Sequence, residues 1–204
     1  MAYEEDAARL GVTGALRMGA VGMEFPTAMG PWTADAVDLG FISGDGITES
    51  RDEDKQEFVP WQRTSPIRVA YTRSVQTFQC VLWESNFHTI SLYYRQGLDD
   101  WTVEEAGDGT EVLSFLEGEP KAQDVRAFGI DIVDGIYARR IQIPYGEVTD
   151  RGDIVYKRDS IIAYDATITA YVGPDGFSVK REFREGWGLP TLPGGGSGGG
   201  GGGQ

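Results

Sequence analysis

Few residues of this sequence could do catalytic chemistry. His88 is its only histidine, so a Ser-His-Asp triad would depend on one residue at the edge of a predicted helix. Asp131 with Asp134 has the residue types of a glycosidase acid and base, and Glu104 with Glu105 is a second such pair. Among 32 acidic residues such pairs arise by chance, and an Asp-Gly step is typical of a turn. We therefore predict that the protein is not an enzyme.

The sequence gives as little indication of a metal or cofactor site as it gives of a catalytic site. Cys80 is the only cysteine, which rules out an intrachain disulfide and a CxxC site. The Gly-Asp-Gly steps at 44–46 and 107–109 lack the regularly spaced oxygen ligands of a calcium loop. No strand–GxGxxG–helix unit indicates a nucleotide fold. We read the Arg-Gly-Asp at 151–153 as a turn, and we predict no cofactor and no metal.

Composition narrows the class of protein further. The 204 residues are 40% hydrophobic and 25% charged, which is typical of a globular chain. A formal net charge of −14 argues against binding to nucleic acid or to an anionic membrane, because both require a basic surface. The acidic N-terminus does not have the pattern of a signal peptide, and no apolar run approaches the ~18 residues of a membrane span.

The elements predicted from hydrophobic alternation are almost all β-strands. A helix is predicted from 85 to 94, with Ser85 as its N-cap and Gly97 as its stop. Between strands, 44–46 is predicted to be a hairpin turn and 49–65 a solvated, charged loop that ends near Trp61. Phe78, Cys80 and Leu82 are expected on one buried face. The predicted strands are 15–25, 34–42, 66–71, 75–84, 112–116, 125–132, 136–143, 153–157, 161–172 and 177–183.

Strands with uncovered edges and long extensions indicate self-assembly, because an open edge pairs readily with another copy. We predict an N-terminal arm over 1–13, a β-domain over 14–190 and a flexible glycine-rich tail over 191–204. A rival hypothesis is a monomeric β-sandwich that binds a ligand such as carbohydrate, with exposed tryptophan and tyrosine as a stacking platform. Five Trp and nine Tyr permit it, although most occupy alternating strand positions where burial is expected.

A resemblance to a known family is strongest between residues 37 and 94. It is carried by LGFISGDGIT at 39–48, the charged loop closing at Trp61, WESN at 83–86 and LYY at 92–94. This pattern resembles the major tail (tail tube) proteins of siphophages infecting actinobacteria, over about residues 15–185. The resemblance implies a β-sandwich or barrel-like fold with one flanking helix, a long inter-strand loop and flexible termini.

The resemblance also implies a structural role in the virion. Six copies are expected to close a ring through the edges of their inner sheets, and rings to stack into a hollow tube around the tape measure protein. Genomic DNA would later pass through the tube without specific binding, as the net charge of −14 on each copy favours. Further expected partners are the tail terminator and distal tail proteins. Membranes are not expected partners, and the protein would be made in the host cytoplasm.

Contact residues between subunits are predicted from the same likeness. The candidates lie in the turn at 44–46 and in the charged loop, with Trp61 as an anchor because aromatic residues are enriched at the centres of interfaces. The full set is Gly44, Asp45, Gly46, Arg51, Asp52, Glu53, Asp54, Lys55 and Trp61.

Overall fold

The computed structural model describes residues 8–119 and 123–184, which contain ten β-strands, one α-helix and one 3-10 turn at Leu98–Asp100. The fold is mainly β, as predicted. Residues 1–7 of the predicted arm over 1–13, and the whole predicted tail over 191–204, lie outside the described residues. The elements are β1 Thr13–Gly19, β2 Val37–Asp38, β3 Ile42–Phe58, β4 Arg68–Leu82, α1 Phe87–Tyr93, β5 Thr102–Glu105, β6 Glu111–Ser114, β7 Arg126–Asp134, β8 Tyr137–Arg151, β9 Tyr164–Ala170 and β10 Lys180–Arg184.

The main sheet is antiparallel, and its two margins meet at one crossing segment. Its strand order is β2-β1-β7-β8-β9-β4-β3, and β10 pairs with β8. The two outermost strands, β2 and β3, are consecutive in sequence. The short segment between them bonds to both sides: Leu39 N–H donates to Leu16 O on β1 (3.0 Å), and Phe41 O accepts from Trp83 N–H after β4 (2.8 Å). This crossing joins the two margins of the sheet into a barrel.

The barrel interior is filled by the alternate residues of its strands. Alternation places one face of each strand inward, and Phe78, Cys80 and Leu82 of β4 are buried as predicted. They pack with Phe128 and Ile130 of β7, and with side chains from the other walls. The remaining buried members are Leu16, Met18, Leu39, Leu92, Ile141, Ile143, Val148, Tyr164, Ala166, Ile168 and Ala170.

Helix α1 covers one end of the barrel. Its N-cap is Asn86, whose Oδ1 accepts from Thr89 N–H at 2.9 Å, so the prediction of Ser85 as the cap is wrong by one residue. Ser85 Oγ instead bonds the hydroxyl of Tyr164 (3.0 Å). Leu92 points into the core, and Tyr93 OH donates to Gly152 O at 2.5 Å. The helix therefore sits where β4 ends and β9 begins.

Several predicted boundaries change because pairing between strands overrides local turn signals. The two strands predicted over 66–71 and 75–84 merge into one strand, β4 Arg68–Leu82, and the predicted turn at Tyr145-Gly146 lies inside β8. The strand predicted over 34–42 shrinks to Val37–Asp38, and Phe41 is exposed. Residues 153–157 form no strand. The Asp134-Gly135 turn is confirmed, with Gly135 at φ +61° between β7 and β8.

Candidate inter-subunit surfaces

The Gly-Asp-Gly step at 44–46 is a bulge within one strand, and the predicted hairpin turn there is wrong. Ile42 lies opposite Leu82, but Ile47 lies opposite Cys80, so β3 has three more residues than β4 between these pairs. Gly46 supplies the left-handed backbone (φ +71°) that this detour requires. The bulge borders a cleft of about 620 Å³ between β3 and the start of β1.

The predicted charged loop is instead the outer half of a long hairpin. β3 continues through residue 58 and pairs with β4 from Ile47 to Phe58. The pairing of β4 with β9 stops at Gln76 opposite Ala170. Residues 52–75 therefore form a two-stranded projection, with a connecting turn at 59–67, that no third strand of the described chain flanks. We call residues 52–75 the ribbon.

The five charged candidates at 51–55 alternate between the two faces of this hairpin. Asp52 and Asp54 share one face with Arg73, whose Nη1 lies 2.7 Å from Asp52 and 3.9 Å from Asp54. Arg51 and Glu53 share the other face, 3.9 Å apart. Lys55 is also on that face, with its Nζ 5.0 Å from the centre of the Tyr71 ring.

Trp61 stands at the outer turn of the ribbon and is 99% exposed. Other exposed apolar side chains lie in and beside this turn, including Phe58 and Ile67. Single exposed apolar residues are ordinary on a protein surface, but a cluster at the end of a projection indicates a contact surface. The sequence analysis did not name these companions of Trp61 as contact residues, although it predicted a strand over 66–71 that includes Ile67. The others are Val59, Val69 and Tyr71.

A second projecting hairpin was not among the predicted contact residues. β5 and β6 form their own two-stranded sheet, and all their residues are exposed. The base of this hairpin is anchored to α1: the rings of Phe87 and Trp101 lie 4.9 Å apart, and Trp101 lies 4.7 Å from Phe115. At its tip, Asp108 accepts bonds from Thr110 N–H and Oγ1–H, which lower the pKa of the Asp108 carboxyl.

The acidic pair that was weighed as a glycosidase acid and base, Asp131 with Asp134, has structural roles. Asp131 accepts two hydrogen bonds from the guanidinium of Arg140, at 2.6 and 3.0 Å, whereas Asp134 accepts a hydrogen bond from the Leu10 N–H at the exposed β7–β8 turn.

Cys80 lies in the core, as predicted, where burial and, to a lesser extent, the charge of Asp165 raise the pKa of its thiol to about 12. Within residues 8–119 and 123–184, no group of three or more metal-binding side chains comes together.

Neither described helix is a membrane span: α1 has seven residues and the single 3-10 turn three, whereas a span needs about 20. The described residues thus form a barrel-like sheet in which β3 keeps one free edge, and they carry two exposed hairpins. A search of individually curated proteins found no significant match. A family model described as phage tail tube protein matches residues 1–178. Since this match spans most of the 204 residues, the chain belongs to the phage tail tube protein family, and it is a structural, non-enzymatic component of the virion tail.

Proposed function

We propose that copies of this chain close into rings of six, and that the rings stack through the ribbon into the tail tube. The ribbon is the observation that carries the proposal. An isolated two-stranded hairpin is marginally stable in water. This one projects from the barrel with Trp61 fully exposed at its end. A neighbouring copy that covers the ribbon would supply the packing that its own chain does not.

Ring closure has support from the free edge of the sheet. β3 is the last strand in the sheet order, so its outer backbone edge has no partner strand in the described chain. A long open edge is a template for pairing with another copy. The bulge at 44–46 lies on this edge, so Gly44, Asp45 and Gly46 remain candidates for contacts between neighbouring copies of one ring. Arg51, Asp52, Glu53, Asp54 and Lys55 follow on the same strand.

The partners and the host in this proposal come from the sequence resemblance. The tube would assemble around the tape measure protein, between the tail terminator and distal tail proteins, in a siphophage of an actinobacterial host. It would then conduct the genome at ejection. The excess of carboxylates in every copy disfavours lasting contact with DNA phosphates, so DNA would slide through without specific binding. In this proposal residues 14–190 form the tube domain, with 1–13 as an arm and 191–204 as a tail.

Excision of the ribbon tests the proposal. Arg51 and Gln76 lie directly opposite each other, so residues 52–75 can be replaced by Asn-Gly, which favours a tight hairpin turn. The shortened protein should keep a β-sheet circular dichroism spectrum and unfold cooperatively, but form no tubes by negative-stain microscopy. Tubes formed by the shortened protein would refute stacking through the ribbon. The matched control, Ile136→Ala at the exposed β7–β8 turn, should still assemble.

A further inference from the structure

One face of the β5–β6 hairpin combines apolar and acidic side chains. Val103 lies opposite Leu113, and on the same face Glu105 lies opposite Glu111. Like charges directly opposite each other destabilise a strand pair, and a cationic partner would relieve that repulsion. Residues 98–119, which we call the acidic hairpin, have no lysine or arginine. Their carboxylates are Asp99, Asp100, Glu104, Glu105, Asp108, Glu111, Glu117 and Glu119.

The outer part of the ribbon has the complementary composition. Residues 58–75 contain three arginines and no carboxylate. Phe58 lies opposite Arg68, so the two side chains share one face of the ribbon, and Trp61 and Arg63 follow in the turn. Arg73 is paired with Asp52. By contrast, Arg63 and Arg68 make no ion pair with any residue that the structure describes.

The two surfaces lie at opposite ends of the molecule. The ribbon turn precedes the first residue of β4, and the acidic hairpin is anchored to α1, which follows the last residue of β4 after residues 83–86. A strand of 15 residues spans about 50 Å, so the two surfaces of one copy cannot meet. Two complementary surfaces at opposite ends give a head-to-tail contact, and such contacts propagate into open filaments rather than closed dimers.

We propose that the ribbon turn of one copy docks on the acidic hairpin of a copy in the next ring. The proposal rests on the proposed function and names the surface that receives the ribbon. Trp61 and Phe58 would cover Val103 and Leu113, while Arg63 and Arg68 would neutralise Glu105 and Glu111. Charge complementarity of this kind sets the register and direction of stacking in addition to affinity.

Charge reversal tests this pairing in the full-length protein. One variant carries Arg63→Glu with Arg68→Glu, a second carries Glu105→Arg with Glu111→Arg, and a third combines all four. Each two-site variant should raise the protein concentration needed for tube formation by about tenfold or more, since like charges then face each other. The four-site variant restores opposite signs and should assemble within about threefold of wild type.

The matched control reverses two cations elsewhere, Lys157→Glu with Arg158→Glu, both exposed beyond β8. It should assemble like wild type. Sedimentation velocity and negative-stain microscopy give the assembly concentration, and circular dichroism shows that each variant is folded. If wild type forms tubes and either two-site variant forms them equally well, the docking proposal is wrong and ring stacking stands. Failure of the four-site variant to recover also overturns it. Absence of tubes from wild type would overturn the proposed function itself.

Discussion

Asp131 of β7 and Arg140 of β8 lie directly opposite each other and form a two-point ion pair, with Nε–Oδ1 2.6 Å and Nη2–Oδ2 3.0 Å. Trp32 joins them: its Nε1–H donates to Asp131 Oδ2 at 2.6 Å, and its ring lies 4.4 Å below the Arg140 guanidinium. Arg140 Nη1 also donates to Gly30 O at 2.7 Å. The pair therefore fastens the segment before β2 onto the outer face of the barrel.

Removing the charge of Asp131 should destabilise the barrel strongly. Asp131→Asn leaves the Arg140 side chain, only 7% exposed, without its counter-charge. Breaking a buried pair from one side costs about 3 kcal/mol of unfolding free energy. Guanidinium denaturation followed by tryptophan fluorescence measures the change, with Asp99→Asn on the exposed acidic hairpin as the control. A loss no larger than that of the control would contradict the structural role of the pair.

Trp32, in the segment that precedes β2, leaves no room for a side chain at position 129. A Cβ there would overlap the six-membered ring of Trp32, coming 2.6 Å from Cζ2. Gly129→Ala should lower the free energy of unfolding by about 2 kcal/mol, the usual effect of overpacking. The matched change, Gly44→Ala, meets no atom within 4 Å and should leave stability close to wild type. Equal denaturation midpoints for the two variants would show that Trp32 moves aside freely.

The barrel strands were predictable because burial imposes alternation on the sequence. Phe78, Cys80 and Leu82 show it clearly, and pairing with β9 on one side and β3 on the other explains why the signal persists to the end of β4. The helix was also predicted, because a capping residue and an apolar stripe are local features. The N-cap is Asn86 and not the predicted Ser85, because either side chain can accept a hydrogen bond from the first backbone N–H groups of the helix.

The contact surfaces were less predictable because their structure depends on partners distant in sequence. Gly44-Asp45-Gly46 suits a hairpin turn and a bulge equally well, and only the register against Cys80 and Leu82 decides between them. Charges of both signs without a buried face are typical of a loop. The ribbon is a strand pair because residues 52–58 pair through their backbones with residues 68–75, and the contact of Asp52 with Arg73, 21 residues away, accompanies that pairing.

The stability of the fold should fall at alkaline pH partly through Cys80. Burial, with Asp165 adding repulsion, raises its thiol pKa from 9.0 to about 12. Above pH 9 the unfolded chain therefore releases this proton while the folded chain keeps it, and unfolding becomes easier by about 1.4 kcal/mol per pH unit. Urea denaturation between pH 8 and about 10.5 measures the slope. Cys80→Ala should have a shallower slope, and identical slopes would contradict the assignment.

Replacing the ribbon's outermost aromatic side chain should separate folding from assembly. Trp61 is 99% exposed, so Trp61→Ala should change the free energy of unfolding by less than about 0.5 kcal/mol. An aromatic anchor buried at an interface contributes about 2 kcal/mol or more, so the concentration needed for tubes should rise by at least about tenfold. Ile136→Ala removes an exposed apolar side chain from another turn and should alter neither quantity. Light scattering against protein concentration, with microscopy of the product, measures assembly. An assembly concentration unchanged by Trp61→Ala would place this residue outside the stacking interface, even if the rest of the ribbon contributes to it.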